Sequence, residues 1–220
     1  MSTPPEIAHA IDVAPFDAKT EALLEQYVAR QLSSGTYDFV ANKALLKCYQ
    51  CHASPAGKLD VIVEVLVLSL MRLPSTDFLA MSYLVPGGNK SLSTANDKLV
   101  LVQKYAELLE KSLYKEFWAE FATSGSTFSN AVGFEGAMRQ CIVLNMSLAF
   151  RDVSMEVLVP MMGLGPDALQ AYLKECSLVE AVTESSVRFL PNEQNTGGPR
   201  NVDAASLKLD RMKQLFKFSS

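Results

Sequence analysis

The sequence predicts a mostly α-helical protein: a platform of paired helices, then a winged-helix module, then one C-terminal helix. Three observations carry that expectation. Apolar residues recur at three- and four-residue spacing through most of the chain, as one face of a helix requires. The stretch from 133 to 190 reads as helix, helix, turn, helix and hairpin, the order of a winged helix. The helical pairs before it begin near Asp17, Ser54 and Ser91, 37 residues apart each time. That period lies in the range of helical-pair repeats. Residue identity between the three pairs is negligible, so they share architecture only.

Residues 1–16 carry three prolines and no period, and a loose tail is expected there. A first helix runs from 17 to about 32 with Leu23, Leu24, Tyr27, Val28 and Leu32 inward, and Gly35 ends it. Asp38 caps a second, over 39–50. Ser54-Pro55 opens a third, which contains LDVIVEVLVLSLMRL. Its β-branched residues suit a strand by propensity. Helical segments flank it on both sides, however, and a lone strand would have no partner. A run that is apolar all round suits a central buried helix, and Pro74 breaks it. A fourth helix covers 75–85, and Pro86-Gly87-Gly88-Asn89 is a turn. Ser93 or Thr94 opens a fifth, with Leu99, Val102, Ala106, Leu109 and Leu113 in phase. A sixth, over 114–121, carries Phe117, Trp118 and Phe121, and 123–127 is a loop.

The winged-helix stretch opens with a long helix over 134–150. Met138, Cys141, Ile142, Asn145, Leu148 and Ala149 share one face of it. A break at Arg151-Asp152-Val153-Ser154 leads to a second helix, 155–162, with Ser154 as N-cap and Glu156 in the first turn. Gly163-Leu164-Gly165 stops it. Pro166 and Asp167 open a third that runs to about Cys176, since proline suits a first turn. Runs over 178–182 and 186–190, parted by Thr183-Glu184-Ser185, form a hairpin; Val187, Phe189 and Leu190 suit a half-buried strand. The domains are therefore expected as a tail over 1–16, a helical-repeat domain over 17–131, a winged helix over 132–200 and a C-terminal helix over 201–220.

The 220 residues are 49% hydrophobic, enough for a true core. The longest apolar run, 61–71, contains Glu64 and is far short of the roughly 20 residues that cross a bilayer. Four cysteines without a visible targeting segment fit a reducing compartment and free thiols, so the chain is expected to be soluble and cytoplasmic.

Cys48-Tyr49-Gln50-Cys51-His52 matches the C-x-x-C-H of c-type haem attachment. Haem attachment normally needs an export or organelle setting, and Cys48 falls on the apolar stripe of a helix as a small core residue would. A thioredoxin-like reading lacks its βαβ setting. Zinc needs four ligands in closed geometry, whereas Cys141 and Cys176 lie on separate helices and His9 lies in the tail. Gly87-Gly88-Asn89-Lys90-Ser91 lacks the glycine before the lysine and the preceding strand of a phosphate loop. The two histidines, His9 and His52, have no acid and nucleophile near them in sequence that would make a triad.

A winged helix can read DNA, and charge weighs that reading. The helix that would enter a groove, from Pro166 to about Cys176, offers Lys174 against Asp167 and Glu175. From Phe134 to the end, nine bases face ten acids. A module of net −1 gains little from counterion release. The wing tip, 192–200, is expected to be flexible and offers only Arg200. Protein docking is favoured over a nucleic-acid regulator.

Several short elements resemble one family, subunit k of the eukaryotic translation initiation factor 3 complex. Tyr37-Asp38, Ala41-Asn42, Leu46-Lys47 and Tyr49-Gln50 look like its YD-x-x-AN-x-x-LK-x-YQ element. Leu73-Pro74 with Thr76-Asp77-Phe78 looks like its LP-x-TDF turn, and Phe117-Trp118 like its FW pair. Gly133-Phe134-Glu135 with Arg139 resembles its GFE-x-x-x-R opening of the winged helix. The matches keep order and spacing over about residues 20–190. The resemblance implies a HEAT-like helical domain joined to a PCI-type winged helix, with no catalysis and no cofactor. It also implies docking on subunit l, at the edge of a complex that binds the small ribosomal subunit. The Pro-rich start, CYQCH, and the glycine-rich wing over 196–199 depart from the family pattern. The rival assembly is a proteasome lid or signalosome, whose scaffold subunits share the plan.

Partner-binding candidates come from two helices. Leu169 and Leu173 are the expected core pair of the groove-type helix, which leaves Tyr172 at the rim. The C-terminal helix, 203–218, carries Leu207, Leu209, Met212, Leu215, Phe216 and Phe218. Met212, Leu215 and Phe216 are its candidate anchors for a partner's helical bundle, with packing back on the chain's own core as the alternative.

Overall fold

The LDVIVEVLVLSL run is a helix, α4 (Leu59–Leu70), and four others pack on it: α2 (Ala18–Ser34), α3 (Phe39–Cys51), α5 (Asp77–Leu84) and α6 (Asp97–Glu110). These come from a computed structural model that describes residues 3–51, 56–85 and 96–196. Ile62, Val65, Leu66, Leu68 and Leu70 of α4 are all sealed from solvent. Neighbours on nearly every side favour a cylinder over a strand, so tertiary burial overrides β-propensity. The one buried hydroxyl of the helix is satisfied locally, Ser69 Oγ donating to Leu66 O at 2.8 Å.

The helix ends follow local chemistry. Gly35 closes α2 at φ 65°, as expected of a left-handed stop. Asp38 caps α3, its Oδ1 accepting from the backbone of Val40 at 3.0 Å and Ala41 at 3.1 Å. The expected Ser54-Pro55 opening, the 86–89 turn and Ser93 or Thr94 as helix starts lie outside the described residues. The described start of α6 is Asn96, whose side chain accepts from Lys98 N and Leu99 N. Helix α7 (Tyr114–Ser124) follows.

Three expectations for the platform need correction. The start is not a loose tail: α1 (Pro5–Val13) packs on α2 and α3 with Ile7 buried, its prolines placed before and at the first helical position. Leu113 is not in phase with α6, which ends at Glu110; it is the exposed residue before α7. The 123–127 stretch is not a loop, because α7 runs on to Ser124 and a 3-10 turn, Gly125–Phe128, follows.

The second part of the chain runs α8 (Phe134–Ala149), β1 (Asp152–Ser154), α9 (Met155–Met162), α10 (Pro166–Glu175), β2 (Val179–Val182) and β3 (Ser186–Phe189). The strands form an antiparallel sheet in the order β1-β3-β2, with Val153 opposite Val187 and an irregularity between Val179 and Ala181. The break expected at 151–154 is thus a strand. Three residues with one buried apolar position between two exposed ones leave too short a pattern to see in sequence. Ser154 stands at the N-cap of α9, but its side chain makes no capping bond. The buried face of α8 is turned from the expected one. Val143 and Met146 join Met138, Cys141 and Ile142 inside, while Asn145 and Leu148 are half-buried and Ala149 is exposed. Leu190, grouped with Val187 and Phe189 in the sequence pattern, lies past the end of β3 and is exposed.

Candidate docking site

Two features join the platform to the sheet-bearing part. The first is aromatic. Phe134, the first residue of α8, stacks on Phe121 of α7 with ring centres 5.7 Å apart, and Phe121 meets Trp118 edge-on at 5.7 Å. Tyr105 of α6 meets Phe117 edge-on at 5.1 Å, and its hydroxyl pairs with Ser124 Oγ at 2.9 Å. Gly133, at φ 82°, provides the turn that sends Phe134 into this cluster.

The second feature is the indole of Trp118. Its Nε1 donates to Met161 O at 2.8 Å, and the Arg139 guanidinium lies over its ring at 4.9 Å. Arg139 also donates from Nε to Met162 O at 3.4 Å and pairs with Glu135 at 2.8 Å. Gly163 closes α9 at φ 60° and touches the indole so closely that a Cβ there would stand 2.6 Å from Trp118 Cδ2. Helices α7, α8 and α9 therefore meet on one side chain, and the two parts of the chain are held in a fixed relation at that joint.

Other residues that carried the resemblance are structural as well. Gln31 and Asn42 are buried partners: Gln31 Nε2 donates to Asn42 Oδ1 at 2.8 Å, and Gln31 Oε1 accepts from Asp38 N at 2.7 Å and Asn42 Nδ2 at 3.2 Å. Asp38 also accepts from Tyr27 OH and Thr3 Oγ1. Burial and the neighbouring Asp77 carboxylate hold the Tyr37 phenol well above its ordinary pKa. Tyr49 is sealed, and its hydroxyl donates to Glu25 Oε1 at 2.6 Å. Lys58 reaches the same carboxylate at 2.6 Å and Glu21 at 2.9 Å, tying the start of α4 to α2.

In the CYQCH run, Cys48 is buried and its thiol donates to Glu21 Oε2 at 3.6 Å, whereas Cys51 is exposed. Burial, then Glu21, pushes the Cys48 thiol up to about 11. His52 lies outside the described residues, and His9 is an exposed residue of α1. Among the described residues, no three of His, Cys, Asp or Glu are grouped so as to hold a metal ion, and no helix is long and apolar enough to cross a membrane.

Of the partner-binding candidates, Tyr172 is half-buried against the core beside fully buried Leu169 and Leu173. Burial, then Cys176, raises its phenol above the ordinary range against the pull of Arg139. Met212, Leu215 and Phe216 lie outside the described residues. What the sequence pattern missed is a groove. One cavity of about 550 Å³ is lined by Tyr114, Met146, Phe150, Val153, Val157 and Met161. A second, of about 370 Å³, lies beside Pro74, Leu79 and Leu109, and the two share Ser112 and Asn145. Phe150 and Val157 stand 50% and 42% exposed at its rim. Phe150 sits where α8 hands over to β1, so only knowledge of β1 would have marked it. The wing tip was expected to be flexible, but its described part is tied down: Asn192 and Asn195 both donate to Ser147 O at 2.8 Å.

No family model matches the chain. Curated relatives do. A protein of Botryotinia fuckeliana named eukaryotic translation initiation factor 3 subunit K is 27% identical over 217 residues, covering 92% of this chain and 87% of its own. The like-named protein of Xenopus laevis is 26% identical over 189 residues, covering 85% and 83%. The chain is a sequence relative of subunit K of eukaryotic translation initiation factor 3. The subunit K of Dictyostelium discoideum is 31% identical over 141 residues, 64% of this chain and 55% of that protein. The resemblance read from the short elements above is borne out across fungal and vertebrate proteins of this name.

Proposed function

We propose that this chain is a non-catalytic scaffold subunit of translation initiation factor 3, acting in the cytoplasm by protein–protein docking. The observation that carries the reading is similarity to proteins named subunit K over most of the length of both chains. The proposed organisation is a HEAT-like domain to about residue 131 with α1 packed on it, a PCI-type winged helix over 132–200 and a C-terminal helix over 201–220. The order α8-β1-α9-α10-β2-β3, with β1 beside β3, supports the winged-helix part.

Docking on subunit l, and through the complex on the small ribosomal subunit, belongs to the same proposal. Charge supports docking on protein rather than nucleic acid, since Lys174 is the only base on α10 against Asp167 and Glu175. Half-buried Tyr172 on that helix is the proposed rim residue of the contact.

Sucrose-gradient sedimentation of the tagged chain from cell extract tests this. The chain should co-migrate with other subunits of the factor and with the small ribosomal subunit. Sedimentation as a free small protein, or with a different assembly, would overturn the proposal.

A further inference from the structure

The groove of about 550 Å³ between α7, α8, β1 and α9 is lined mainly by apolar side chains, and two observations point to one occupant. One is where the chain goes. The last described residues, 192–196, are fastened to the end of α8 by the paired bonds of Asn192 and Asn195 to Ser147 O. The groove residues Met146, Ala149 and Phe150 belong to that same end of α8. A further 24 residues, 197–220, follow. Six of them, up to 202, reach as far as about 20 Å when extended. As a helix, the remaining 203–218 would span about 24 Å.

The other observation is chemical complementarity. Leu209, Met212 and Phe216 fall at i, i+3 and i+7, one stripe of such a helix, with Ala205 one turn before. Outside the stripe, 203–218 carries Lys208, Arg211, Lys213 and Lys217 against Asp203 and Asp210. Among the described lining residues neither cavity has a base; the first has Asp152, which pairs with Arg188 at 2.7 Å, and the second has Glu110. From residues fastened at that end of α8 the chain thus continues into a basic segment with an apolar stripe, and the groove it would meet is apolar and lined without a base.

We infer that residues 203–218 of this same chain seat in that groove, with Leu209, Met212 and Phe216 against Phe150, Val157 and Met161. The inference goes beyond the proposed function, because it gives these side chains an intramolecular seat in the free protein. The seat covers Phe150 and Val157 and fixes the direction in which the chain's end leaves the molecule.

Hydrogen–deuterium exchange on the free, full-length chain tests it. Amides of 203–218 should exchange roughly tenfold or more slowly than in a Val157→Asp variant, at every protein concentration. Phe216→Asp should in turn speed exchange over 146–157 while the circular dichroism melt stays cooperative. It keeps the test open if Val157→Asp fails to fold. Unprotected exchange over 203–218 in the wild type would overturn the inference, as would protection indifferent to both substitutions. Protection found only where light scattering detects a dimer would transfer the groove to a second copy and also overturn it.

Discussion

Replacing Gly163 with alanine should destabilise the protein by about 3 kcal/mol, through two separate costs. Gly163 sits at φ 60°, and a residue with a Cβ costs roughly 1–2 kcal/mol in that region. The added carbon would also lie 2.6 Å from Cδ2 and 2.8 Å from Cγ of Trp118. The indole is not free to step aside, being bonded to Met161 O and covered by Arg139. Overpacking of this kind costs about 1–3 kcal/mol. For a chain of this size the sum shifts Tm by about 6–12 °C. Trp118 is the only tryptophan, so its fluorescence in guanidinium reports the joint directly, and far-ultraviolet circular dichroism reports the helices. Gly136→Ala is the control. It lies inside α8, where a Cβ would meet nothing within 4 Å, and should be neutral or stabilising by up to about 1 kcal/mol. A loss below about 1 kcal/mol for Gly163→Ala, or an equal loss for Gly136→Ala, would refute the reasoning.

Asp38→Ala removes a cap that accepts from two backbone donors and should cost about 1–2 kcal/mol in urea unfolding, with Asp38→Asn milder. Gln31→Leu strands the amide of Asp38 and the side chain of Asn42 and should cost about 1–3 kcal/mol by the same measurement. Iodoacetamide at pH 8 should label Cys51 quickly and spare Cys48 and Cys141 until the protein unfolds, which peptide mass spectrometry reads. Burial pushes both inner thiols up to about 11 from 9, so the unfolded chain ionises first. The stability these groups contribute is full below pH 9 and lost as pH rises through 11; urea midpoints at pH 8 and 10.5 should fall accordingly.

The helical character of the chain was legible because its apolar spacing is long and regular. Even the β-branched run of α4 was read as a helix from its neighbours, which is where the burial came from. The cap at Asp38, the stop at Gly35 and the span of α9 rest on single residues whose backbone preferences are strong. What stayed hidden depends on distant partners. Ile7 gives α1 one buried anchor, too little to stand out beside prolines that also suit a tail. Strand β1 exists because β3 pairs with it across more than thirty residues of chain. The rotation of the buried face of α8 toward Val143 and Met146 follows from what packs on that helix. The half-buried position of Tyr172 beside the core pair Leu169 and Leu173 was legible from spacing, though Tyr172 does not line the groove. The Trp118 joint was visible only as a bulky residue, because its hydrogen-bond acceptor and its covering arginine lie in other helices.

The most direct measurement is affinity purification of the tagged chain from cytoplasmic extract, with the recovered proteins identified by mass spectrometry. Other subunits of translation initiation factor 3, subunit l foremost, together with small-subunit ribosomal proteins, are the predicted result. Recovery of proteasome-lid or signalosome subunits in their place would contradict it.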